Sequence, residues 1–367
     1  MNGVGAARQS ANRNSVLRAG ACRYVVEAVS YLFQFRRYRL PLRAPVRTAH
    51  GRWTEREGVL VRLETAEGAV AFGEAAVLPW FGTETADEAE AACQLVGAKA
   101  GADTLASLPD KLCCVRNAVT AAMGECAAVT AGRGKEVPYL SVAALLPAGR
   151  AALDVLPAKG EMGFRVFKWK VGVGDVADEL SLLDDLCGGL PPGAKLRLDA
   201  NGAWDRRRAE RWLEKCAERP VEFVEQPVAP EARGADDLLR GLAEDFPTPI
   251  ALDESVAGDG DIERWLGAGW RGVFVIKPAL LGHVATTVDR LAKANAAVVF
   301  SSALETAVGA KAALRVAFAW PGAARALGFG VWPLFADARF DGPQAAPFVR
   351  WEDVERINAE AVWNALS

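Results

Sequence analysis

Residues 164–174 read "FRVFKWKVGVG". In an extended chain, alternation places Val166, Lys168 and Lys170 on one face and Phe167, Trp169 and Val171 on the other. Taken alone, two lysines on one face read as a solvated sheet surface. A strand covered by helices outside and packed with side chains inside gives a different reading. Charge on its inner face is then tolerated only at the C-terminal mouth, where barrel active sites lie.

The neighbouring sequence favours the second reading. After Val137, short apolar runs recur, each followed by a helical stretch: "VPYLSVAALL", "RVFKWKVG", "KLRLDANG", "VEFVEQPV", "PIALDESV", "GVFVIKPAL", "AAVVFSSAL" and "RALGFGVW". Eight such runs predict a (β/α)8 TIM-type barrel. A doubly wound sheet is the competitor, but "GVGD" at 172–175 is not the GxGxxG of that fold. Polar residues end successive runs at one-unit intervals: Lys170 to Asp199 is 29 residues, Asp199 to Glu225 26, Glu225 to Asp253 28, and Asp253 to Lys277 24.

Upstream the rhythm is different. "YLFQFRRYRLPL" and "GVLVRLETAEGAVAFGEAAV" read as strands, with Glu67-Gly68 a hairpin turn. Alanine-rich helical stretches near 84–101 and 110–131 follow, which makes an α+β unit.

Composition narrows the partners. The 367 residues are 51% hydrophobic and balance 43 basic against 46 acidic side chains, for a net charge of −3. That leaves no overall field for nucleic acid or an anionic membrane, so a small molecule is the expected partner. Seven cysteines without a CxxC, and two histidines, His50 and His283, fit neither a zinc cluster nor a disulfide framework. Reduced thiols in the cytoplasm are the simpler account. No run of 18 apolar residues occurs. Residues 1–23 lack acidic side chains and carry Arg8, Arg13, Arg18 and Arg23. They read as a disordered extension or an upstream start-site artefact, with a targeting segment as the alternative.

One carboxylate at a strand end is ordinarily a cap or a turn residue, and Glu254 or Ser255 fits that description. Asp199, Glu225 and Asp253 at three successive strand ends converge on one spot. Oxygen ligands without histidine or thiolate suit a hard cation, Mg²⁺ or Mn²⁺. Lys277, in "VIKPALLG", would face Lys168 and Lys170 across the mouth. Lysines crowded near one another and near a metal, partly desolvated, lose basicity and can act as general bases near neutral pH. A cation that clamps a carboxylate, flanked by bases, equips a site to remove the proton α to that carboxylate.

Lys168 and Lys170, then Asp199, Glu225, Asp253 and Lys277, in this order, resemble the enolase superfamily, muconate lactonising subgroup. The resemblance covers nearly the whole chain from about Tyr24. Within the subgroup, "RLDANGAW", "VEQPV", "ALDESV", "VIKPALLG" and "SSALETAVG" are most similar to the o-succinylbenzoate synthases of menaquinone or phylloquinone biosynthesis. The resemblance implies a capping domain over 24–118, a catalytic barrel over 119–345 and a C-terminal segment, 346–367, that packs back on the cap. It also implies loops at 45–56 and 78–84 closing over the substrate. Trp53, Trp80 and Phe81 would be apolar walls there, or simply interdomain packing, and Arg52 a carboxylate partner. Ser301 and Ser302 would bind the succinyl carboxylate or serve as an N-cap, and Asn201 would support the site by hydrogen bonding.

The implied reaction is the metal-dependent syn dehydration of 2-succinyl-6-hydroxy-2,4-cyclohexadiene-1-carboxylate to o-succinylbenzoate. In it Lys170 would take and return the proton, Lys168 would stabilise charge, and Lys277 would be a cation over the opposite ring face. The nearest rival is a dipeptide epimerase or N-acylamino acid racemase of the same superfamily. Such epimerases carry an aspartate pair at the eighth strand, whereas "ALGFGVWPLF" here has no carboxylate before Asp337. A rival of another class is a non-catalytic barrel that serves in binding or as a scaffold.

Overall fold

The computed structural model describes residues 30–48, 51–129 and 138–366. The arginine-bearing stretch 1–23 and His50 lie outside them. The first unit is an antiparallel sheet backed by helices: β1 (Ser30–Thr48), β2 (Gly51–Thr65), β3 (Val70–Ala75), α1 (Ala86–Val96), β4 (Lys99–Gly101), α2 (Ala102–Ala106) and α3 (Cys113–Val129), with sheet order β3-β2-β1-β4. The β2–β3 turn closes where expected, with Gly68 at φ +82 and its N–H on the Thr65 carbonyl. One expectation changes here. The described residues of the stretch 45–56 continue the β1–β2 ladder past a register shift between Pro41 and Val46, pairing Val46 with Trp53 and Arg47 with Arg52, in place of the expected loop.

A short β5 (Tyr139–Ser141) leads into the barrel strands and their helices. These are β6 (Ala144–Leu146), α4 (Ala151–Glu161), β7 (Val166–Lys170), α5 (Val176–Gly189), β8 (Lys195–Asp199), α6 (Arg206–Cys216), β9 (Val221–Glu225) and α7 (Ala235–Asp245). The series continues with β10 (Ile250–Leu252), α8 (Asp259–Gly267), β11 (Val273–Ile276), α9 (Val284–Lys293), β12 (Ala297–Phe300) and α10 (Ala307–Ala319). Strands β6 to β12 form one seven-stranded sheet in sequence order, and every pair is parallel. The eighth position is reduced to single bridges: Leu327 pairs with Val142 and Gly328 with Ser301. A Cβ on Gly328 would stand 2.4 Å from the Ser301 Oγ, so only glycine permits this closure. The chain ends in β13 (Phe348–Arg350), which pairs with β5, then α11 (Trp351–Glu355) and α12 (Ala359–Asn364). The C-terminal helix reaches the first sheet, where the Trp363 ring meets Phe72 and lies under the Arg36 guanidinium.

The opening motif partitions as its alternation demands. Phe167 and Trp169 are fully buried on the outer face, with Trp169 edge-on to Trp212 and Trp212 stacked on Trp204. Burial of each such ring contributes about 1.5–3 kcal/mol. The barrel interior is filled by Phe223, Ala251, Val273, Val275 and Val299, with the buried Arg197 guanidinium over the Phe223 ring. Charge therefore collects above this apolar plug, at the strand ends.

The two units share a buried polar seam. Glu74 of β3 accepts from Tyr38 (2.6 Å) and from the Thr306 and Gly309 N–H groups, so a first-unit carboxylate caps α10. Arg56 of β2, 2% exposed, donates to the Leu304, Ala303 and Val77 carbonyls. Beside them Glu305 is fully buried, and burial, then Glu74, push its carboxyl up to about 7. The folded state thus holds this proton more tightly than the unfolded chain, whose glutamate titrates near 4.5. Its stabilising contribution is complete below about 4.5 and is lost as pH rises to about 7. Glu305→Gln should remove this loss, so that thermal melting of the variant gains on the parent by on the order of 1–3 kcal/mol above that window. Parallel melting curves across the window would contradict the assignment.

Candidate active site

The parallel register brings the strand-end residues together. Lys168 lies opposite Arg197, Lys170 opposite Asp199, and Asp199 opposite Glu225. Lys168 Nζ stands 2.8 Å from Asp199 Oδ2 and 2.7 Å from Glu225 Oε1. Lys277 is ion-paired with Asp253, and its Nζ lies 4.4 Å from the centre of the Phe81 ring. All five paired groups are largely buried. Burial pulls the Lys168 ammonium down, but Asp199, Glu225 and Asp253 outweigh it and leave its pKa raised.

The carboxylates are short of positive charge. Burial, followed by the nearness of Asp199, pushes the Glu225 carboxyl up to about 8. Glu254, read in the sequence as a cap or turn residue, is drawn into the same cluster. Burial and Asp253 raise it to about 7, and its Oε1 accepts from Asn201 Nδ2 at 3.2 Å. Asn201 also donates its backbone N–H to Asp199 Oδ1, at a positive φ of 44. Asn201 Oδ1 and Glu254 Oε2 are buried without a hydrogen-bond partner among the described residues. A crowded all-oxygen set with unsatisfied acceptors fits a hard divalent cation.

The end of β10 is held by a residue that the sequence reading passed over. Gln226, fully buried, accepts from the Asp253 and Ser255 N–H groups and donates to Ser255 Oγ and the Val228 carbonyl. One amide thus ties the strand end of Glu225 to that of Asp253. Its signal was the polar residue inside "VEQPV", too weak by itself to assign.

The remaining expected residues divide. Trp53 and Trp80 meet edge-on at 4.0 Å, while Phe81 faces Lys277. Arg52 is exposed, beside a cavity of about 420 Å³ lined also by Arg37, Arg39, Trp53 and Trp80, and no residue of the lysine–carboxylate cluster lines it. The Ser301 hydroxyl donates to the Gly328 carbonyl (3.3 Å), and the Ser302 hydroxyl donates to Glu305 while accepting from the Leu304 N–H. Ser302 is therefore engaged within its own loop, while Ser301 ties the end of β12 to the eighth position of the barrel. Elsewhere, Glu84, Cys113 and Cys114 place three donor atoms within 4.8 Å of one another. There Glu84 accepts from the Cys114 and Val115 N–H groups at the start of α3, so it is a helix cap, and a helix N-terminus disfavours a cation.

Comparison with known proteins agrees with this geometry. Residues 152–347 match the family model described as "Enolase C-terminal domain-like", and residues 31–126 match "MenC, N-terminal domain". The chain is 40% identical, over 82% of its length and 92% of the relative's, to the o-succinylbenzoate synthase of Thermosynechococcus vestitus. This chain belongs to the o-succinylbenzoate synthase family. A second synthase, from Edwardsiella ictaluri, is 31% identical over 77% of this chain and 85% of its own. The crystal structure of the Thermosynechococcus elongatus o-succinylbenzoate synthase, complexed with Mg in its active site, superposes with a TM-score of 0.77 at 35% identity. That match covers 91% of this chain and 99% of the synthase. The Bacillus subtilis L-Ala-D/L-Glu epimerase (TM-score 0.76, 23% identity, 87% of this chain and 95% of its own) shares the fold.

Proposed function

We propose that the protein catalyses the syn dehydration of 2-succinyl-6-hydroxy-2,4-cyclohexadiene-1-carboxylate to o-succinylbenzoate, within menaquinone or phylloquinone biosynthesis. The observation that carries this reading is the cluster of Lys168, Asp199, Glu225, Asp253 and Lys277 at adjoining strand ends, in a chain of this family. Asp199, Glu225 and Asp253 would hold Mg²⁺, or Mn²⁺ in its place. When bound, the cation offsets the negative charge that develops on the substrate carboxylate.

Lys170, at the end of β7 and half-buried, takes the α-proton. It then delivers a proton to the departing hydroxyl on the same face, so that one water leaves and the ring becomes aromatic. Lys168, engaged by two carboxylates, is a fixed positive charge beside it. Lys277 is the cation of the opposite face, and its stacking on Phe81 supports a position against a flat ring. Phe81 covers that side of Lys277 and excludes water there, and Trp53 and Trp80, edge-on to each other, would extend the apolar wall. The Ser302 hydroxyl shapes its own loop and the Ser301 hydroxyl is bound to Gly328, so donation to a succinyl carboxylate would require each to leave its present partner.

No described helix is long and apolar enough to cross a membrane, and the six described cysteines are free thiols, which supports a reducing compartment such as the cytoplasm. The eighth strand position, Leu327 and Gly328, offers no carboxylate for a substrate ammonium. Purified protein should therefore dehydrate the cyclohexadiene with a kcat/KM orders of magnitude above that for epimerising any dipeptide or racemising an N-succinyl amino acid. A preference for dipeptides would overturn the assignment, and inactivity toward all three substrates would return the scaffold reading.

A further inference from the structure

The apolar core of the first unit extends into the barrel mouth. Ala279 and Leu280, just after Lys277, and Ala303, just after Ser302, are buried in the same cluster as Val61, Leu63, Val115 and Val119. Helix α3 lies close against the turn that follows Lys277. A Cβ on Gly282 would stand 3.4 Å from Cys113 Cα and from Arg116 Cδ. From this helix Asn117, 6% exposed, directs Nδ2 at two carbonyl oxygens, those of Pro278 (2.6 Å) and Leu281 (2.8 Å). Two carbonyl acceptors require two N–H donors, and a side-chain amide supplies both from one nitrogen without bringing in a charge. Within the bracketed turn, the Leu280 N–H returns to the Lys277 carbonyl at 3.0 Å. The backbone of Lys277 is thus fastened to the amide through a single turn, while its ammonium lies at Asp253 and Phe81.

We propose that Asn117 is a positioning residue for Lys277: its amide, reaching across from the capping domain, fixes the turn that sets where the ammonium stands in the site. The proposal rests on the reading of Lys277 as a cation of the dehydration site. A residue that merely fastened the two units would lower stability and slow every form of the enzyme by the same factor. A residue that acts through Lys277 has nothing to position once that side chain is gone.

The test is a double-mutant cycle on the full-length, magnesium-loaded protein with the cyclohexadiene substrate. Asn117→Ala should lower kcat on the order of 10–10²-fold, the scale of a misplaced catalytic group. KM and the magnesium affinity measured by calorimetry should change little, because β8 to β10 are untouched. In a Lys277→Ala background, with residual turnover read on concentrated enzyme, the same change should cause no further loss. An equal fractional loss in both backgrounds, or an unchanged kcat in the parent, would overturn the proposal. If Asn117→Ala does not fold, as judged by thermal melting, Asn117→Ser keeps one donor and is run through the same cycle. A smaller loss is then expected in the parent and none without Lys277, and the same two results would overturn it. Full activity of Lys277→Ala by itself would instead refute the reading of the site.

Discussion

Lys170→Ala is expected to remove nearly all dehydration, by about 10²–10⁴-fold or more, the loss that follows removal of a positioned base. The three lysines carry the same charge, yet the structure sets them in different company. Lys168 is clasped by Asp199 and Glu225, and Lys277 is paired with Asp253 under the Phe81 ring. A base must shed its proton at working pH, and a guanidinium does not. Lys170→Arg should therefore be as inactive as Lys170→Ala, whereas Lys277→Arg should retain measurably more turnover than Lys277→Ala. Arginine keeps a positive charge on the opposite ring face, beside Phe81, and alanine removes it. Rates of the four variants decide the roles. Activity in Lys170→Arg together with complete loss in Lys277→Arg would exchange the base and the electrostatic partner.

Removal of the divalent cation should abolish turnover, and Mg²⁺ or Mn²⁺ should restore it. Asp253→Asn is the sharper form of the same expectation. The substitution takes away one charge of the three-carboxylate set, while the backbone N–H of residue 253 keeps its 3.0 Å hydrogen bond to Gln226. Circular dichroism should therefore be unchanged while cation affinity, measured by calorimetry without substrate, falls at least tenfold. Full activity in excess chelator would remove the metal from the mechanism.

Much of this site was legible in the chain. Alternation in "FRVFKWKVGVG" separates lysines from aromatic residues because a strand can point successive side chains only to opposite faces, and Trp169 and Lys168 obey it. Regular spacing placed Asp199, Glu225, Asp253 and Lys277 at successive strand ends because each β/α unit consumes a similar length of chain. Less legible was Glu254, whose side chain had an equally good local explanation as a cap. The stretch 45–56 gave no sign that it would remain in a β-ladder, since its pairing depends on the partner strand. The eighth run kept its place in the barrel but pairs with its neighbours only through single bridges, at Leu327 and Gly328.

What sequence by itself determined is therefore whatever repeats along the chain: the barrel, its inner and outer faces, and the polar residues at its mouth. What only tertiary structure decided is the seam between the units. Asn117 meets Pro278 from 161 positions away, and Arg56 meets Leu304 from 248. Neither residue belongs to a pattern, since a buried donor is specified by acceptors that reach it only when the chain has closed. The same closure sets Phe81 over Lys277. Periodicity records which face a side chain occupies, and the fold alone supplies the group it meets there.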